Sequence, residues 1–167
     1  ARIPVPDAQF LNDLAVTRSG ALYATGMYTD RIYRIQEGTA EVFSKASGLN
    51  RPNGIYALGD DLYVGNQNQL LHFKLNQHKP KGYSGQTGPI DGLHPVADKQ
   101  FLTSDWKGRL FIQDYRKSKH QRRLLLDVRN TKHKVADMTF IPEKSLVLIP
   151  TFSTNQVAAY TLPIGTE

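Results

Sequence analysis

A chain of 167 residues, 40% hydrophobic and 22% charged, can bury one sizeable core but not two comfortable ones, and its composition excludes disorder. A formal net charge of +6 permits acidic partners without specifying one, and the absence of cysteine removes disulfides, thiolate metal sites and a cysteine nucleophile together. No apolar run approaches the roughly 20 residues that span a bilayer, and no signal-peptide apolar region stands at the start.

Residues 1–9 carry Pro4 and Pro6, which confine the segment to an edge strand or an irregular lead-in. Then comes a polar pair, Asn12 and Asp13, and an alternating run at Leu14, Ala15 and Val16. A turn at Arg18, Ser19 and Gly20 leads into the run 21–24, and a turn at Tyr28, Thr29 and Asp30 into the run 31–35. After Glu37 and Gly38 a fourth run covers 39–43. Short runs of period two divided by Gly and Asp turns predict consecutive antiparallel strands.

The same grammar returns three times. The second repeat opens at Pro52-Asn53-Gly54, turns at Gly59-Asp60-Asp61, and continues through 62–66 and 69–75. A third opening, Ile90-Asp91-Gly92, is followed by runs at 100–106, 109–112 and 123–128. Last comes Val135-Ala136-Asp137, a turn at Pro142-Glu143-Lys144, and runs at 145–149 and 156–162 with no fourth strand. Asn12, Asn53, Asp91 and Ala136 fall in register at intervals of 41, 38 and 45 residues.

A repeat of about 40 to 45 residues with four strands predicts an all-β, propeller-like domain over 1–167. Its blades would cover approximately 10–46, 50–86, 90–129 and 135–162, the last lacking its outer strand. A β-sandwich is the competing architecture, but nothing in it calls for a recurring polar-Gly-apolar opening. Residues 2–6 are a spare strand that could complete the last blade, and open blade edges invite self-association. Four blades could also be part of a larger, six-bladed ring.

The innermost strand of each blade lines the channel, so Asn12, Asn53 and Asp91 are candidate oxygen ligands for a hard divalent cation such as Ca²⁺ or Mg²⁺. The competing reading is structural, because Asn-Gly and Asp-Gly form turns and their side chains satisfy backbone donors. His94 is a candidate ligand or base, or a packed or exposed histidine beside Pro95. Trp106 packs between blades or stacks on a sugar ring at the channel mouth. Residues 116–123 and 132–134 form the densest basic run, placed at the rim. No nucleic-acid module surrounds it, so it reads as a solvated loop or a site for an acidic partner. No G-x-S-x-G elbow, Walker motif or dinucleotide motif is present.

The openings at Leu11, Pro52 and Ile90, with the stretches 104–110, 135–142 and 147–162, resemble the senescence-marker-protein/gluconolactonase family of six-bladed propellers, in its bacterial and often exported branch. The resemblance implies one divalent cation in the channel, calcium ahead of zinc or magnesium, supporting metal-assisted hydrolysis of a sugar-lactone-like small molecule. Asn53 and Asp91 would match metal ligands, and Asn12 a further metal or substrate contact. Asp91 would also be the general base. The family's first ligand, a Glu, lies on an earlier blade than any present, and Phe10 stands where the family often has a substrate-binding Arg. The runner-up is a non-catalytic binding propeller using its channel mouth or basic rim. A chain opening at Ala1 fits a mature secreted chain, an expression fragment or a proteolytic product equally well; the expected location is periplasmic or secreted, with cytoplasmic as the alternative.

Overall fold

The computed structural model describes residues 2–83, 85–117, 119–131 and 135–162. The chain is all-β and propeller-like, with four antiparallel sheets formed in sequence order. It divides into two compact units, Ala1–Ile90 and Asp91–Glu167, each containing two of the sheets.

In the first unit, β1 (Leu11–Val16), β2 (Leu22–Gly26), β3 (Arg31–Gln36) and β4 (Thr39–Ser44) form a four-stranded meander. The β3–β4 hairpin turns on Glu37 and Gly38, both at positive φ (51° and 78°). Two left-handed residues match the twist of the flanking strands, which is why a glycine stands there. The second meander joins β5 (Ile55–Leu58), β6 (Asp61–Gly65), β7 (Leu70–Lys74) and β8 (Lys81–Gly82). Between the two sheets lie Tyr23, Ile32, Phe43, Leu62, Val64, Leu71 and Phe73, all buried. Phe43 meets Tyr23 edge-on at 5.0 Å between ring centres and Phe73 at 5.9 Å. Each such side chain contributes about 1.5–3 kcal/mol by leaving water.

The second unit repeats the plan with β9 (Leu93–Ala97), β10 (Gln100–Asp105), β11 (Arg109–Asp114) and β12 (Gln121–Asp127). Its other sheet contains β13 (Thr139–Ile141), β14 (Leu146–Thr151) and β15 (Gln156–Thr161), and so has three strands. Leu102, Leu110, Phe140, Val147 and Ile149 form its core.

Two expectations change, and the turn expected at Pro142 is present. Residues 2–6 form no strand, since Pro4 and Pro6 lack the amide hydrogens that a ladder requires. Instead Ile3, Val5 and Ala8 pack on Ala24, Tyr33 and Ile35 of the first sheet. The opening of the last repeat is mostly irregular: Val135 makes one isolated bridge to Thr151, and regular pairing begins at Thr139. The Pro142 turn is a short 3₁₀ segment, Pro142–Lys144, closed by Ser145 at φ 46°.

Candidate functional site

The repeat openings are tied to the neighbouring blade by a hydroxyl on each unit's first β-hairpin. In the first unit the Asp13 amide donates to Thr25 Oγ1 (3.1 Å), and that hydroxyl donates to the Asn53 carbonyl of the next blade (2.8 Å). In the second, the Gly92 amide donates to Ser104 Oγ (2.7 Å), and Ser104 donates to the Ala136 carbonyl. The same bridge made twice puts Asn12 and Asp91 in equivalent positions, and likewise Asn53 and Ala136. The second blade has no hydroxyl there. Its Gly65 pairs with the opening through the Asn53 amide (2.9 Å) and the Gly54 carbonyl (2.8 Å). A Cβ at Gly65 would lie 2.3 Å from Ile90 Cγ2, so only glycine leaves room for that buried side chain.

Asp13 holds a structural position: its carboxylate accepts the Leu14 amide at 2.7 Å and the Ile55 amide at 2.8 Å. Asp137 repeats the first contact with the Met138 amide (2.7 Å). The sequence reading did not single out Thr25, Ser104 or the bridging role of Asp13. For Thr25 the available signal was a small hydroxyl in an otherwise apolar second strand, Leu22–Gly26; Ser104 stands beside Thr103 and Asp105 and gave no such signal.

The residues singled out from sequence fall in both units. Asn12 is exposed, with its amide 3.8 Å from Met27 Sδ, and Asn53 is half-buried in the first unit. Asp91 and His94 are half-buried in the second, where the Asp91 amide donates to the Ser104 carbonyl (2.9 Å). His94 Nδ1 faces the Pro95 carbonyl at 2.8 Å and therefore carries the hydrogen, and its ring meets Phe140 edge-on at 5.9 Å. Burial holds its pKa below the ordinary histidine value. Among the described residues, no three His, Asp or Glu side chains gather into a cation-binding group.

A different cluster stands at the strand-opening end of the first unit. Phe10 and Arg51, each two residues before an opening Asn, both adopt left-handed backbone (φ 57° and 51°). That conformation costs an L-residue roughly 1–2 kcal/mol, and such strain collects where a side chain must be aimed. The Met27 amide donates to the Phe10 carbonyl (3.0 Å), and the Arg51 amide to Asp30 Oδ1 (2.7 Å). The Phe10 ring stacks on Tyr28 at 5.0 Å, and the Arg51 guanidinium lies 5.1 Å from the same ring's centre. Arg51 Nη2 is 3.8 Å from Met27 Sδ, the atom that Asn12 also approaches. Phe10 and Tyr28 remain 56% and 55% exposed, and Arg51 forms no ion pair among the described residues.

The second unit exposes a different pair. Trp106, in the β10–β11 turn, meets Phe152 of the β14–β15 turn edge-on at 4.8 Å, and both stay at least half exposed. Trp106 thus bridges two blades while offering a face to solvent. Beneath it Asp105 is buried, accepting the Lys107 and Arg109 amides and pairing with the Arg109 guanidinium.

Within the basic run Arg116 grips Asp114, holding that carboxyl far below the usual carboxylate range, while Lys117, Lys119 and Arg123 form no ion pair among the described residues. Outside the run, Arg129 holds Asp127 down to about 2. Arg122 lies flat against Phe111, 3.6 Å from the ring centre. Residues 132–134 and Ser118 of the run lie outside the described residues.

No family model matches the sequence, and no curated protein matches it. Solved structures do. A chain of the nidogen/laminin complex superposes over 95% of this chain and 62% of its own, with a TM-score of 0.75 at 18% identity. Streptogramin B lyase matches over 96% of this chain and 57% of its own (TM-score 0.62, 13% identity). The computationally designed Ika4 protein is matched over 95% and 96% (TM-score 0.58, 11% identity). This chain thus spans about three-fifths of the first two. At such identities the likeness is one of fold: an all-β propeller built from blade repeats.

Proposed function

We propose that the protein is a ligand-binding propeller whose first unit recognises a small ring-bearing anion. Phe10 and Tyr28 would stack on the ring, Arg51 would meet its carboxylate, and Asn12 would hydrogen-bond its substituents. One observation carries this reading: Phe10 and Arg51 hold equivalent, left-handed positions and both lie against the exposed Tyr28 ring. Backbone strain spent twice to place an aromatic and a cation on one exposed ring favours a built site over a chance patch.

Calorimetric titration with glucuronate and 4-hydroxybenzoate, and with methyl glucoside as the uncharged control, tests it. The expected result is saturable binding of at least one anion, weakened at least about tenfold by Arg51→Ala and unchanged by Trp106→Ala. Binding that Arg51→Ala leaves intact, or no binding of either anion, overturns it.

A second reading is supported by the equivalence of Asn12 and Asp91, which keeps a polar oxygen at the opening of both units. It is divalent-metal-assisted lactone hydrolysis, the activity the family resemblance implies, with Asp91 as metal ligand and base. Turnover of glucono-1,5-lactone that disappears on chelation and in Asp91→Ala would establish it. Turnover indifferent to both, or none with calcium added, would dismiss it.

A further inference from the structure

The first unit also contains a cleft of about 1040 Å³, whose lining includes none of Phe10, Asn12, Tyr28 and Arg51. One wall is β4, last in its sheet and pairing with no further strand, its edge engaged only at the Phe43 carbonyl among the described residues; the other includes β8, only two residues long. Phe43 and Leu71 are buried in its lining, and Val42 is partly exposed there. The His78 Nδ1 hydrogen is donated to the Phe43 carbonyl (2.6 Å), and Ser44 Oγ donates to the His78 carbonyl (2.6 Å), so the walls are fastened to each other.

The charges lining the cleft do not balance. Asp7 is paired with Arg31 at 3.8 Å, whereas Lys45 and Lys79 are exposed and form no ion pair among the described residues. We propose that this cleft binds an extended acidic peptide along β4. An open strand edge supplies backbone donors and acceptors to a chain of any sequence. Alternate side chains of such a chain point the same way, so apolar ones would face Val42 while acidic ones lie beside Lys45 and Lys79. The volume stands at the upper end of small-molecule sites, about 300–1,000 Å³, and accommodates several residues of an extended chain. A small free anion gains less here, since both lysines are exposed and their charges are screened by water.

The test is fluorescence anisotropy of the full chain with a labelled peptide of alternating Glu and Val, against its Lys-Val counterpart. The expected result is saturable binding of the Glu-Val peptide only, weakened when salt rises from about 50 to about 300 mM. The double variant Lys45→Glu/Lys79→Glu, with its fold verified by circular dichroism, should bind at least about tenfold more weakly. Arg51→Ala should bind the peptide normally, which separates this cleft from the strand-opening site. Equal binding by the charge-reversed variant, no binding of the Glu-Val peptide, or full displacement by free glutamate or inorganic phosphate would overturn the proposal.

Discussion

Thr25 and Ser104 make the same bridge in the two units, yet the surfaces above them differ. In the first unit the exposed ring of Tyr28 carries a cation and a second aromatic; in the second, Trp106 and Phe152 pair above an aspartate already neutralised by Arg109. The buried hydroxyl bridge belongs to the fold, because each blade opening must satisfy its amide and carbonyl groups wherever it meets a neighbour. The turn tips carry no such obligation. They are where the repeats diverge and where binding specificity can be built.

The largest effect should come from the blade that lacks the bridge. Gly65→Ala drives a methyl group into Ile90 and should cost about 2–3 kcal/mol, read as a lowered urea midpoint. An unchanged midpoint would mean that Ile90 moves aside freely. Next come Thr25→Val and Ser104→Ala, each removing a partner from one amide and one carbonyl, at about 1–3 kcal/mol. Similar losses would confirm that the two bridges are equivalent; a loss confined to one would break the comparison.

Arg51→Gly sharpens the contrast between fold and surface. It relieves the left-handed strain but removes an exposed cation–π contact of about 0.5–1 kcal/mol and adds unfolded-chain entropy. Stability should therefore stay within about 0.5 kcal/mol while binding at the strand-opening end is lost. A large destabilisation would make Arg51 a structural residue.

The smallest effect concerns His94. Burial lowers its folded-state pKa, so the folded protein resists protonation more than the unfolded chain does. Its contribution is present above the ordinary histidine pKa and fades as pH falls below it toward the lowered folded value. His94→Gln should flatten the stability profile between about pH 7 and pH 5. An unaltered profile would show that another group governs it.

The blade repeat was legible in the sequence because each strand's alternation and each turn's glycine are local properties, fixed within a few residues. The register of the openings was legible as well, and the Gly92–Ser104 and Asp13–Thr25 bridges make Asn12 and Asp91 equivalent as the spacing implied. What escaped was the short β8, too brief to show alternation, and the packing of residues 2–6 on the first sheet, a long-range contact. The strand-opening cluster was out of reach for the same reason. Phe10, Tyr28 and Arg51 lie far apart in the chain, and only left-handed backbone at two of them aims their side chains at the third. Periodicity determined by itself that this chain forms blades. Which side chains meet between those blades was decided only when the meanders packed, because that depends on backbone angles and neighbours that no local pattern encodes.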